Sequence, residues 1–236
     1  VTVVALLGGH GKTGRAVAAA LEARGATPRP LGRADRLPDR LAGCAAAYLV
    51  APNLHPDEPA LVAGWLDALR EAGVGRVVYH SVASPYAPAM PHHLGKAVSE
   101  DLVRRSGLAW TVLQPGAYLQ NLDLSADVVV PYDVHARFGF LDLADLGAAA
   151  AAVLLDDGHV GATYELATRE ASVAELAAEA GVDARRGEWD GAALPARERE
   201  WLGAMFASYD DHGLPVGTRV LAGLLAGCAR GGGVSS

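Results

Sequence analysis

The chain opens on an unbroken apolar run, Val3-Val4-Ala5-Leu6-Leu7, the pattern of a strand buried on both faces. Glycines follow at once, and residues 15–24 then carry Ala and Leu along one side at helical spacing until Gly25 ends the segment. The alternation repeats. Thr27–Leu31 reads as a weak strand ending at Gly32-Arg33, Leu37–Leu41 as a short helix, and residues 45–50 as a buried strand stopped by Pro52. A helix over 59–72, a β-branched strand over 75–82, a helix over 94–106 and a strand over 108–113 follow, the last closed by Pro115-Gly116. Strands and helices in this order predict a doubly wound α/β fold, a parallel sheet covered on both faces.

The rhythm changes beyond residue 120. Val128–Val130, Phe138–Leu141 and Thr163–Leu166 are short strands, and Leu143–Leu155 is a helix of almost entirely small apolar residues. Helices are predicted at Val173–Ala180, 195–209 and 218–225. The chain thus divides into a main domain over 1–125, to which 140–166 returns, and a small C-terminal α+β lobe over 126–139 and 167–236. Trp189, Trp201, Met205, Phe206 and Tyr209 are bulky enough to wall a pocket, but packing of the lobe's own core is the expected role for most of them. The glycine-rich end, 231–236, reads as a frayed tail.

The first turn carries the strongest chemistry. Gly8, Gly11 and Gly14 stand at G-x-x-G-x-x-G spacing between a strand and a helix. That order suits a dinucleotide pyrophosphate: one glycine for the tight turn, one for close backbone approach, one for close packing of the helix, whose N-terminal N–H groups face the anion. Gly11-Lys12-Thr13 resembles the end of a nucleotide triphosphate loop, but the first glycine of that loop would fall at Leu6, inside the strand, and Tyr48 to Asn53 offers no acidic residue for magnesium.

Composition narrows the options. Apolar residues make up 51% of the chain, which suits close helix-on-sheet packing, and a net charge of −7 without a basic stripe disfavours nucleic acid as a partner. Two distant cysteines, Cys44 and Cys228, with no C-x-x-C, point away from disulfides and zinc and toward a reducing cytoplasm. The opening apolar run is too short for a signal peptide or a membrane span, so no membrane partner is expected.

Several segments carry a resemblance to one family: Val74 to Ser81; His92-His93-Leu94-Gly95-Lys96 with Glu100; Leu108 to Asn121 around Gln114-Pro115-Gly116-Ala117-Tyr118; Phe140 to Asp145; and Tyr209 to Leu214. With the glycine loop they resemble the NmrA-like branch of the atypical short-chain dehydrogenases/reductases. The resemblance implies a Rossmann fold with a small substrate lobe. It implies either NAD(P)H-dependent reduction of quinones and other conjugated or aromatic compounds, or redox sensing without catalysis. Carried over to this chain, Gly8, His10, Gly11, Lys12, Thr13 and Gly14 hold the pyrophosphate region. Lys12 and Arg33 are set against the 2′-phosphate of NADP, and charge logic favours NADP(H) over NAD(H), although Asp35 nearby leaves NAD open. Val50, Ala51, Pro52, Ser81 and Val82 lie at strand ends over the ligand, and Pro115, Gly116, Ala117, Tyr118 and Asn121 line the nicotinamide.

Typical members of the wider family use Ser, Tyr and Lys, with the Tyr four residues before the Lys. Here Lys96 has His92 in that place, so the catalytic candidates are Lys96, His92, Ser81 and Tyr118, with Tyr86 a rival proton donor. Lys96 has a plain alternative, an i, i+4 pair with Glu100 on an exposed helix face, and His92 another, exposure in a loop. His92-His93 and Asp210-Asp211-His212 are read as loop clusters without metal-ligand spacing, so no metal is expected. Only eleven residues separate Arg33 from Ala45, too few for a helix and a further strand. The expected fold is therefore a doubly wound parallel-sheet Rossmann fold with a shortened adenine-side edge. The expected function is NADPH-dependent hydride transfer to a small conjugated or aromatic carbonyl or quinone. The alternatives are a dinucleotide sensor, or a cofactor-independent cyclase or isomerase on a relic scaffold.

Overall fold

The computed structural model describes residues 1–231; the segment expected to be a frayed tail lies outside the described residues from 232 onward, while Gly231 ends the last helix. The strands are β1 (Val3–Leu7), β2 (Thr27–Leu31), β3 (Ala46–Leu49), β4 (Arg76–His80), β5 (Ala109–Pro115), β6 (Ala117–Tyr118), β7 (Val128–Val130), β8 (Phe138–Leu141), β9 (Thr163–Leu166), β10 (Arg169–Ala171) and β11 (Ala184–Arg186). The helices are α1 (Lys12–Ala23), α2 (Leu37–Leu41), α3 (Glu58–Glu71), α4 (Pro91–Arg104), α5 (Leu143–Leu155), α6 (Val173–Ala180), α7 (Ala196–His212) and α8 (Arg219–Gly231). Six strands form one parallel sheet in the order β2-β1-β3-β4-β5-β9.

Period-two alternation distributes each strand between two cores. Val4 and Leu6 of β1 and Tyr48 of β3 face Val17, Leu21 and the alanines of α1 and α5; Ala5, Leu7 and Leu49 face Leu41, Val62, Leu66 and Val103 of α2, α3 and α4. The last helix, assigned to the lobe on sequence grounds, instead returns to the sheet, where Leu221 joins the core beneath α5 and β9.

β2 is the sheet edge, as the short 34–44 segment requires. The Thr27 N–H donates to Thr2 and the Leu31 carbonyl accepts from Gly8, so the odd residues of Thr-Pro-Arg-Pro-Leu face β1. Pro28 and Pro30 then turn outward, and their nitrogens offer no donor to a further strand. The Arg29 guanidinium donates to the carbonyls of Arg40 and Ala42, tying the short segment beside the edge.

The lobe is built on β8, flanked by β10 and β6, with β7 paired to β11. Its core, from Phe138 and Phe140 to Val173, Leu176, Leu214 and Val216, is continuous with residues that follow β4 and β5. No helix among the described residues is long and apolar enough to cross a membrane.

Candidate active site

The glycine turn is held by steric need. Gly8 has φ of +84°, and a Cβ there would stand 2.0 Å from the Val50 carbonyl oxygen at the end of β3. At Gly14 a Cβ would lie 2.4 Å from the Gly9 carbonyl oxygen, so this glycine lets the first turn of α1 rest closely on the loop. Gly11 is the N-cap of α1 and supplies no side-chain cap, and the helix starts at Lys12, three residues before the expected position 15. Its first N–H groups are therefore left for an outside acceptor.

Gly8, Gly11, Lys12 and Thr13 open onto a cavity of about 760 Å³ at the carboxyl ends of β1, β3, β4 and β5. All the expected site residues line it except His10, Gly14 and Arg33. His10 rests beside Gly32, where a Cβ would be 3.1 Å from its ring, and Arg33 is exposed at the end of β2 with no ion pair among the described residues. Asp35, the residue that left NAD open, folds back so that its carboxylate accepts from the Gly32 N–H at 2.7 Å. Lys12 has partners of its own. Its ammonium donates to Asn121 and lies 5.4 Å over the Tyr118 ring, because position 12, the first of α1, faces the segment after β6.

The floor of the cavity consists of buried polar chains. Tyr48 meets His80 Nδ1 at 2.5 Å, and His80 Nε2 meets the Tyr118 hydroxyl at 2.8 Å. Burial, with Lys96 adding to it, pushes His80 down to about 3, so the imidazole is neutral and bridges two phenols as one donor and one acceptor. Burial also pushes the Tyr118 hydroxyl up, leaving it protonated at neutral pH. A second chain joins Tyr79 to Glu58 at 2.6 Å and Glu58 to Lys96 at 2.9 Å. Lys96 is thus buried against Glu58 on α3, not paired with Glu100 on an exposed face. Glu100 is itself engaged: Ser81 Oγ donates to it at 2.5 Å, Gln114 and Arg104 both at 2.8 Å. Ser81 therefore lines the cavity with its hydroxyl already committed.

His92 and His93 are buried in the first turn of α4, not in a loop, because Pro91 at the start of the helix presets its conformation and moves the beginning ahead of Leu94. His92 stacks on Trp201, and burial followed by Lys96 and His93 pushes it down to about 3. At neutral pH His92 is therefore an N–H hydrogen-bond donor rather than an imidazolium acid. Tyr86 is exposed and its hydroxyl meets Arg104, away from the cavity. Asp210-Asp211-His212 ends α7 rather than forming a loop, and no metal-binding cluster of His, Cys, Asp and Glu is present among the described residues. The loops after β3 and β4 each hold one non-glycine residue in the left-handed region, Leu54 and Ser84, both with φ of 53°.

At the lobe end the cavity is aromatic. Tyr132, Phe138, Phe206 and Tyr209 stand with ring centres 5.3 to 6.0 Å apart, joined by Met205 and Leu214. Met205, Phe206 and Tyr209 are therefore cavity wall as well as core, whereas Trp189 packs on Phe206 and Trp201 on His92, neither lining the cavity. Sequence reasoning missed Glu58, His80, Tyr132, Phe138 and Phe140. Glu58 had no local signal of burial, since an acid in a first helical turn is ordinarily solvated.

No protein-family model matches the sequence. Over 152 residues the chain is 32% identical to an NAD(P)H azoreductase of Xenophilus azovorans, covering 60% of this chain and 52% of the relative. Over 177 residues it is 30% identical to quinone oxidoreductase 2 of Escherichia coli K12, covering 70% of this chain and 60% of the relative. The matches thus span between half and two thirds of the curated relatives' length. Among solved structures, NmrA, a negative transcriptional regulator in complex with NADP, superposes with a TM-score of 0.78 at 18% identity, over 98% of this chain and 91% of NmrA.

Proposed function

We propose, from the premise that the chain has the fold of the NmrA-like atypical short-chain dehydrogenases/reductases, that it is an NADPH-dependent oxidoreductase for a small conjugated or aromatic acceptor, with quinones the first candidates. One observation carries the reading: the uncapped helix terminus of the glycine loop and the aromatic nest of the lobe open into the same cavity. The residues present fit the cofactor. The space a Cβ would fill at Gly8 and Gly14 is taken by backbone, and the α1 N–H groups supply donors for a pyrophosphate. Arg33 and His10 at the end of β2 suit a 2′-phosphate, and the turn that consumes the Asp35 carboxylate removes the acid that would read a bare ribose.

When bound, NADPH supplies a hydride, two electrons and one proton equivalent, to an acceptor that takes its second proton from solvent. The chain's own residues position and shield. Lys96, fixed by Glu58, and Tyr118, fixed by His80, give the middle of the cavity rigid walls. The lobe, residues 126–139 and 167–217, encloses the acceptor. With His92 neutral and Tyr118 held protonated by burial, no side chain is poised as a strong acid, which suits acceptors whose reduced anion takes its proton from water. The activities for which the two relatives are named, azo and quinone reduction, lie in this class. A free, buried Cys44 agrees with a reducing, cytoplasmic setting.

The test is oxidation of NADPH by a quinone panel, followed at 340 nm. Turnover with at least one quinone supports the reading. Tight NADPH binding without turnover by any acceptor would replace it with the dinucleotide sensor.

A further inference from the structure

Of the seven tyrosines in the chain, five have a polar partner for the hydroxyl. Tyr48 and Tyr118 meet His80, Tyr79 meets Glu58, Tyr86 meets Arg104 and Tyr164 meets His159. The Tyr132 and Tyr209 hydroxyls have no hydrogen-bond partner among the described residues, and both residues line the lobe end of the cavity. No buried side-chain oxygen in the described structure lacks a partner, so the two hydroxyls meet open space rather than sealed protein. The lining around them, Val130, Phe138, Phe140, Met205, Phe206 and Leu214, is uncharged and carries no other hydroxyl.

We propose that Tyr132 and Tyr209 are a donor pair for a carbonyl oxygen of a neutral, planar aromatic ligand, and so determine that the lobe end selects oxygen-bearing rings over ring systems without oxygen. The inference deepens the function proposed above and rests on it for the lobe end as the acceptor's place. The rings brace one another and wall the cavity beside them. Tyr132 and Tyr209 stand edge to face at 87°, as do Phe138 and Tyr209 at 84°, so the packed cluster turns aromatic surface to the adjoining cavity, against which a planar aromatic ligand can rest. Burial keeps both phenols protonated, with Tyr132 pushed up to about 12, so they remain donors across the neutral range. A site built to hydrogen-bond an oxygen discriminates strongly against an analogue that lacks it, because its donors are then left unpaired.

The experiment uses the whole chain, its Tyr132→Phe and Tyr209→Phe variants and the double variant. Binding of 2,3-dimethyl-1,4-naphthoquinone and of 2,3-dimethylnaphthalene, the same skeleton without oxygen, is followed by tryptophan fluorescence; Trp189 stands 4.8 Å from Phe206 at the edge of the nest. The double variant should bind the quinone about tenfold more weakly and the hydrocarbon unchanged. Quinone affinity unchanged in the double variant, equal loss for both ligands, or no quinone binding by the wild type would each overturn the pair. The two proposals separate cleanly. Tyrosine-dependent quinone binding without NADPH oxidation keeps the donor pair and removes the reductase, whereas NADPH oxidation indifferent to both substitutions does the reverse.

Discussion

At the glycine-loop end of the cavity the lining is backbone, while in the middle and at the lobe end it is side chain. The loop end depends on φ at Gly8, the close approach of Gly14 to Gly9 and unpaired helix N–H groups, all within seven residues of sequence. The middle depends on Lys96 meeting Glu58 and on Tyr48 meeting His80, pairs 38 and 32 residues apart. The contrast teaches that the glycine turn excludes added atoms, whereas the floor tolerates neither loss of charge nor loss of a partner.

The largest expected effect breaks the floor. Glu58→Gln leaves the buried Lys96 ammonium without its counter-charge, and chemical denaturation should show a loss of about 3–5 kcal/mol. Replacing both members, Glu58→Gln with Lys96→Met, should recover much of that loss. Equal instability of the single and double variants would mean that the pair is not what organises the floor.

Gly8→Ala tests the opposite end. The added Cβ meets a backbone oxygen that cannot turn aside, so NADPH affinity measured by calorimetry should fall about a hundredfold, on the order of 2.7 kcal/mol. An alanine variant that binds like the wild type would show the loop to be ornament.

Acid sharpens the comparison, because the buried histidines whose protonation is held down lie in the side-chain part. His80 and His92 are pushed down to about 3 in the folded chain, below the unfolded value of about 6.5. Between those limits the unfolded chain binds more protons. Stability is therefore complete above about pH 6.5 and lost as the pH falls toward 3, by about 2 kcal/mol per histidine at pH 5. Denaturation midpoints at pH 7.5 and 5 measure the fall, and His92→Gln should flatten it. The smallest effect concerns cofactor choice: Arg33→Ala should weaken NADPH about tenfold and leave NADH unchanged, read by parallel titrations. Equal loss for both would refute the 2′-phosphate assignment.

The same division governs what was legible in the sequence. The β1 run, the glycine spacing, the edge at β2 and the small-residue helix α5 are local patterns, and each predicted element lies at or within a few residues of its observed place. The errors at helix starts have local causes as well: Gly11, with no side chain, caps α1, and Pro91 advances α4. The polar floor was not legible because its members are joined only by tertiary folding. Nothing beside Glu58 in sequence announces that it will be buried against Tyr79 and Lys96, and the one partner that helical spacing offers Lys96, its plain alternative role, is Glu100. The aromatic nest was half visible, since Met205, Phe206 and Tyr209 were recognised as bulky, while their partners Tyr132 and Phe138 come from the segments around β7 and β8.

The central claim, that the glycine loop still holds a working cofactor although the sheet ends at β2, is tested most directly by calorimetric titration of the wild-type chain with NADPH. The account predicts one site per chain with a Kd on the order of 10 μM or below. Binding in the millimolar range, or none, would contradict it.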